Sequence, residues 1–230
     1  MINLEKFKYQ SWLDGRIVAI NGDCQEVMAE IGDKEIDLVL TDPPYGINQD
    51  KVQKNLSNKK GFTKNAGTYK KYHETNWDNE IPSKIIFDEL IRISKKQIIW
   101  GGNYFHYLHL QGIIIWYKGN SGNFKEGELA KTNINTFKVY TMSRADAYIN
   151  TLEPLDKIHP TQKPVALMAW CLNNYSKEND LVFDAFAGSF TTAIACIRTK
   201  RRFIGCELDP IYFEKACERI DTELKQLTLF

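Results

Sequence analysis

Short β-branched runs alternate with stretches that repeat apolar residues at helical spacing. Arg16-Ile17-Val18-Ala19-Ile20 reads as a strand that ends at the turn signal Asn21-Gly22-Asp23. Asp23 is placed to cap a helix over Cys24–Ile31, where Val27, Met28 and Ile31 share a face. Ile36-Asp37-Leu38-Val39-Leu40 reads as a buried strand running straight into Thr41-Asp42-Pro43-Pro44-Tyr45. Two consecutive prolines continue neither a central strand nor a helix, so the chain leaves the sheet there. Strand, helix and strand at these lengths suggest a βαβ unit.

Further along, Pro82-Ser83 opens a helix with Ile86, Leu90 and Ile93 on one face, and Gln97–Trp100 predicts a strand halted by Gly101-Gly102-Asn103. Ile113–Tyr117 and Phe137–Thr141 read as two more strands, while residues 142–157 give little guidance. From Pro164 a well-buried helix is expected to carry Val165, Leu167, Met168, Trp170, Cys171 and Leu172, with Pro164 at its favoured first position. Strand Leu181–Phe183, turn Ala187-Gly188-Ser189, helix Thr191–Thr199 and strand Arg202–Cys206 follow. Asp209 and Pro210 then start a final helix, with Phe213, Cys217, Ile220, Leu224 and Leu227 expected inward. The expected architecture is an open, mostly parallel α/β sheet in a single domain, interrupted by a long polar insertion. Trp100, Trp116 and Tyr117 are expected in the core, and His106 and His109 at the surface or on helices.

Composition changes this picture little. The chain has 230 residues, 43% apolar and 26% charged, and 30 Lys+Arg nearly cancel 29 Asp+Glu for a net charge of +1. Global charge thus names no partner. No apolar run is long enough for a membrane span, and the first residues do not read as a signal peptide. Cys24, Cys171, Cys196, Cys206 and Cys217 are odd in number with no CxxC spacing. That usage suits reduced thiols in a cytoplasm, and their distance from the four histidines argues against a metal. Local charge is more informative. Residues 51–71 contain seven lysines (Lys51, Lys54, Lys59, Lys60, Lys64, Lys70 and Lys71) and no acid, which reads as a polar loop.

Ligands of open α/β sheets bind at the carboxyl ends of the strands. Four predicted strands end in polar or Gly-rich turns: Gly22-Asp23, Asp42–Tyr45, Asp184–Ser189 and Glu207–Asp209. If those strands are parallel, the four turns share one rim. The turn through Gly188 would present backbone N–H groups and a helix N-terminus, with Glu207 placed to grip ribose hydroxyls. GxGxxG is absent, so by itself that segment is as readily a tight connection as a nucleoside site. The Asp42–Tyr45 turn says more: a carboxylate and a proline-flanked carbonyl can accept both hydrogens of an exocyclic amine, and Tyr45 offers a ring to a planar base.

Thr41-Asp42-Pro43-Pro44-Tyr45-Gly46 resembles the catalytic motif of amino-group DNA methyltransferases, and Asp184-Ala185-Phe186-Ala187-Gly188-Ser189 resembles their S-adenosylmethionine motif. His159-Pro160-Thr161-Gln162-Lys163-Pro164 matches the segment that precedes the cofactor motif, and Ile99–Phe105 is similar to an element of adenine-modifying members. Catalytic motif first and cofactor motif last is the order of the circularly permuted β class. The resemblance implies a Rossmann-like S-adenosylmethionine-dependent methyltransferase fold with helices on both faces of the sheet. It also implies roles. Asp42 and the Pro43 carbonyl, with Pro44 stiffening the turn, hold the target amine, and Tyr45 stacks on the extruded base. Asp23 reads the cofactor adenine, Glu207 its ribose, and Asp42, Asp184, Phe186, Ala187, Gly188, Ser189 and Thr191 line it. Gln162 and Lys163 close the pocket near the methionine carboxylate.

The lysine loop then contacts DNA phosphates, and residues 101–157 read the bases. Double-stranded DNA is the implied partner, with room for a homodimer and for a cognate restriction endonuclease. The implied reaction is transfer to adenine N6, with cytosine N4 as the rival; Asp42 favours adenine because cytosine-N4 relatives usually place Ser there. Many relatives carry Gly where this chain has Phe190, expected to open the helix without needing φ > 0. Were Phe190 to point into the pocket, the chain would be a DNA-binding relative without catalysis.

Overall fold

The computed structural model describes residues 2–47, 78, 80–119, 125–148, 158–159 and 161–227. After a single 3-10 turn, Leu4–Lys6, the elements are β1 (Lys8–Trp12), β2 (Ile17–Asn21), α1 (Cys24–Ala29), β3 (Ile36–Thr41), α2 (Lys84–Ile93) and β4 (Ser94–Trp100). They continue with β5 (Gly112–Tyr117), β6 (Gly127–Thr132), β7 (Phe137–Thr141), α3 (Arg144–Tyr148) and α4 (Val165–Tyr175). The last are β8 (Leu181–Asp184), α5 (Thr191–Arg198), β9 (Arg202–Glu207) and α6 (Pro210–Leu227). All nine strands of the described residues join one sheet in the order β1-β2-β9-β8-β3-β4-β6-β5-β7. The centre, β2-β9-β8-β3-β4, is parallel throughout. Antiparallel pairs appear where β1 flanks β2 and where β6 lies between β4 and β5.

Both faces of the sheet are covered, which explains the apolar stretches Ile17–Ile20, Leu38–Leu40, Ile98–Trp100 and Leu181–Phe183 in its central strands. Strand period two divides each run between the faces. Ile17, Ala19, Leu38, Leu40, Ile98 and Trp100 pack with α4, α5 and α6, whereas Val18, Ile20, Val39 and Ile99 pack with α1 and α2. Helix α1 is capped by Asp23, whose side chain accepts from the Gln25 N–H at 2.8 Å. Asp209 caps α6, accepting from the Ile211 and Tyr212 N–H groups at 2.8 and 3.0 Å.

Several expectations need correction. Helix α1 stops at Ala29, short of Ile31, and Pro164 sits just before α4 as its N-cap. Trp100 and Trp116 are buried, but Tyr117 is 41% exposed, because its side chain falls on the outer face of β5. Leu227 is also exposed; the inward position on the last turns of α6 goes to Glu223, held by Arg198 at 2.6 and 2.8 Å. His106 and His109 are exposed, as expected. Strands β1 and β6 and helix α3 carry no signal that the sequence pattern announces. The lysines Lys51, Lys54, Lys59, Lys60, Lys64, Lys70 and Lys71 lie outside the described residues. No described helix is long and apolar enough to cross a membrane.

Candidate active site

Because β2, β9, β8 and β3 are adjacent and parallel, their C-terminal turns stand side by side on one rim. They enclose a cavity of about 670 Å³ lined by Gly22, Asp23, Asp42, Pro44, Asp184 to Ser189 and Glu207 to Pro210. His159, Thr161, Gln162, Lys163 and Tyr212 close another side, and Thr191 and Thr192 bring the N-terminus of α5 to the wall. This size suits a nucleoside-sized ligand.

The cofactor-motif turn is held by carboxylates. Asp184 accepts from the Thr41 hydroxyl (2.7 Å), the Phe186 N–H (3.1 Å) and the Thr192 hydroxyl (2.6 Å), so one side chain joins β3, β8 and α5. Burial outweighs these bonds and pushes its carboxyl up to about 6. Glu207 joins two turns by accepting from the Gly188 N–H (2.9 Å) and the Asp209 N–H (2.8 Å). Burial again dominates and raises its carboxyl to about 7. Gly188 has φ +51°, which a glycine adopts without strain.

Phe190 differs from expectation. It takes the left-handed conformation after all, at φ 54° and ψ 35°, immediately before α5. Its ring is fully buried and meets Phe203 and Phe213 edge-on at 6.0 and 6.4 Å, away from the cavity wall. The pocket is open past this residue. Cys24 and Cys206 touch the cavity, but burial raises both thiols, Cys24 to about 12. They hold no thiolate near neutrality. All five cysteines are free and buried, and no metal-ligand cluster occurs among the described residues.

At the end of β3 the catalytic-motif turn is fixed from within and from afar. The Tyr45 hydroxyl donates to Asp42 Oδ1 at 2.5 Å, and the Tyr45 and Gly46 N–H groups donate to Asp78 at 2.8 and 3.0 Å. The Tyr45 ring stacks on Tyr104 with centroids 4.7 Å apart and planes within 12°. Its edge is so close to Gly101 that a Cβ there would stand 2.0 Å from Tyr45 Cε1. The Gly-Gly pair after β4 therefore makes room for Tyr45.

Lys163 lines the cavity, as the resemblance implies, but makes a pairing the sequence does not announce. Its buried ammonium pairs with Asp42 Oδ2, lies 3.1 Å from Glu128 Oε2 and donates to the Tyr45 hydroxyl at 3.2 Å. Glu128 in turn pairs with the buried Lys118. Burial opposes ionisation of Glu128, but Lys163 and Lys118 prevail and bring its carboxyl down to about 2. Burial raises the Asp42 carboxyl, Lys163 opposes it and Glu128 adds to it. Gln162 Oε1 accepts from the Ile158 N–H at 3.2 Å, so it braces the segment leading into Lys163. The family resemblance points to Gln162 and Lys163 but to neither Glu128 nor Lys118. Glu128 lies on β6 and Lys118 just after β5, in segments with no motif, so only the pairing of β5 with β6 reveals them.

A nucleoside-sized cavity at the carboxyl ends of a parallel sheet, flanked by an Asp-Pro-Pro-Tyr turn, defines a group-transfer site of the doubly wound α/β class. The chain belongs to the N6/N4 DNA methylase family, which matches it over residues 36–218. It is 28% identical over 221 residues to the putative methylase YubD of Escherichia coli K12, covering 87% of this chain and 88% of that protein. A shorter stretch of 63 residues is 44% identical to the DNA adenine methyltransferase YhdJ of the same organism, covering 27% of this chain and 21% of the relative. The crystal structure of the M1.HpyAVI–SAM complex shares the fold, with a TM-score of 0.56 at 20% identity over 89% of this chain and 98% of that one.

Proposed function

We propose that this chain methylates adenine N6 of a base extruded from duplex DNA, using S-adenosylmethionine as donor. The observation that carries the reading is the place of Asp42: it lines the nucleoside-sized cavity and also opens the proline turn that Tyr45 and Asp78 hold rigid. The donor set fits the cofactor, since Glu207 and Asp23 bring carboxylates to hydroxyl and amine groups and the turn through Gly188 brings backbone close to a ligand. Phe186, Ala187, Ser189 and Thr191 complete that wall, with Asp184 holding its shape and Gln162 bracing the far side. Bound there, the cofactor supplies an electrophilic methyl on a sulfonium centre.

The protein's own part is positioning and electrostatics. Asp42 and the Pro43 carbonyl accept the two N–H bonds of the target amine, which turns its lone pair out of the ring and toward the methyl. Tyr45 orients Asp42 and, with Tyr104 stacked on one face, forms the platform beside the base. No covalent nucleophile is needed, in accord with the raised cysteine thiols. The proton leaves by Asp42 to solvent. Adenine rather than cytosine is favoured by Asp, not Ser, at the head of the turn. The lysines of residues 51–71 supply phosphate contacts on the duplex.

The test is labelled methyl transfer to mixed-sequence duplex DNA followed by nucleoside analysis. Label in N6-methyladenine is expected; label in N4-methylcytosine would keep the mechanism and change the base. Asp42→Ala is expected to abolish transfer with cofactor binding intact, and loss of both together would show that the turn is misassigned.

A further inference from the structure

Asp42 has a competitor for its role. A buried lysine paired with it occupies Oδ2 and weakens it as an acceptor, yet the target amine must use this same carboxylate. The molecule places a second carboxylate against that lysine. Glu128 faces Trp116 across the β5–β6 pair, and Lys118 follows directly on the end of β5, its N–H donating to the Glu126 carbonyl. The result is a row of alternating charge, Lys118, Glu128, Lys163, Asp42. Lys118 also lies over the Trp116 ring at 4.5 Å, which fixes the outer end of the row. Glu128 Oε2 is buried and faces the Lys163 ammonium at 3.1 Å, so its charge acts directly on that group.

We propose that Glu128, backed by Lys118, is a positioning residue that draws the Lys163 ammonium toward itself and so keeps Asp42 available to the target amine. This deepens the adenine-methylation reading and rests on it. The charge balance of the cluster supports the assignment. Lys163 and Asp42 alone are neutral; with Glu128 the inner three groups carry one net negative charge. In transfer the N–CH3 bond forms as the S–CH3 bond breaks, its electron pair staying on sulfur. Positive charge moves to the target nitrogen until that nitrogen releases its proton. Lys118 brings the row of four to neutrality, but it lies at the far end; next to the reacting nitrogen Glu128 offsets the Lys163 ammonium and leaves the Asp42 charge to stabilise the transferred positive charge.

The groups facing Asp42 are Lys163, Glu128, Tyr45 and Asp184, and those beyond Glu128 are Lys118 and, acting on Lys118, Arg144. Among them Glu128 raises the Asp42 carboxyl and Lys163 lowers it. Removing the Glu128 charge therefore moves Asp42 ionisation to lower pH, and removing the Lys118 charge moves it to higher pH. Glu128→Gln keeps the shape of the side chain. Single-turnover methyl transfer is expected to slow about 10- to 100-fold, the range for losing a supporting partner behind an active group. The acid limb of its pH profile shifts down in Glu128→Gln and up in Lys118→Met, and cofactor affinity is unchanged in both.

Isotope-edited NMR of the Asp42 carboxyl in the free protein reads the same two opposite shifts without any turnover. A slower rate with an unmoved limb and unmoved NMR titration would reduce Glu128 to scaffolding and overturn the proposal, as would a Glu128→Gln rate equal to wild type. Wild-type transfer is measured in the same series. If it fails on every DNA tested while the NMR shifts appear, the adenine reading falls and the charge coupling stands.

Discussion

Phe190 holds a backbone conformation, φ 54°, that costs a bulky residue about 1–2 kcal/mol relative to glycine. The chain tolerates it because the ring is fully buried between Phe203 and Phe213. Truncating a buried Phe costs about 3–5 kcal/mol, so packing outweighs strain. Phe190→Gly is accordingly expected to destabilise the protein by about 1–4 kcal/mol, the difference between these terms, in denaturant unfolding. Its cofactor affinity by calorimetric titration should match wild type, because the ring does not line the cavity. A variant as stable as wild type would mean that the aromatic contacts contribute little. Phe190 thus offsets a conformational cost with core packing.

At the scale of elements, the turn after β4 decides where Tyr45 of the Asp-Pro-Pro-Tyr turn sits. Gly101 has φ +70° and its missing Cβ leaves the space that Tyr45 fills. Gly101→Ala is expected to push Tyr45 off Tyr104 and loosen its hold on Asp42, lowering kcat about a hundredfold, the cost of a displacement near one ångström. Gly119→Ala is the control: its φ is +72° but nothing among the described residues lies within 4 Å, so it should lose about 1 kcal/mol of stability and no activity. Equal activity losses in the two variants would refute the steric argument. The same scale explains what was legible in the sequence. Strands β3 and β8 are buried on both faces and spell out continuous apolar runs, and the four rim turns follow from their ends. Strand β6, Gly-Glu-Leu-Ala-Lys-Thr, alternates no clear pattern because Glu128 faces a buried lysine instead of solvent or core. Strand β1 is an exposed edge with a single partly buried Trp12, so hydrophobic period had nothing to mark. Pairings such as Asp78 on Tyr45 and Lys163 on Asp42 join distant segments, which local pattern does not encode.

Across the whole molecule, charge acts in two places with opposite consequences. Inside, Asp184 binds a proton more tightly when folded, with its carboxyl moved from 3.8 to about 6. Its stabilising contribution is complete below 3.8 and is lost as pH rises toward about 6, since the unfolded chain ionises first. Glu207, moved from 4.5 to about 7, acts the same way slightly higher. Asp184→Asn can keep the Thr41 and Phe186 bonds through its carbonyl and donate its amide to Thr192. Calorimetric Tm across this window should therefore fall less steeply in the variant, with the part due to Glu207 remaining; an identical slope would assign the effect to other groups. Outside, a net charge of only +1 gives no global attraction for a polyanion, so binding to DNA depends on local clustering. Seven lysines within residues 51–71 follow shortly after the Asp-Pro-Pro-Tyr turn. Replacing Lys59, Lys60, Lys70 and Lys71 with Gln should weaken DNA binding and flatten the plot of log affinity against log salt by about 0.9 for each phosphate no longer neutralised. Asp42→Ala, which keeps every lysine, should leave that slope unchanged. If the lysine variant also keeps the wild-type slope, the phosphates are held by another surface and the segment beside the catalytic turn is merely solvated.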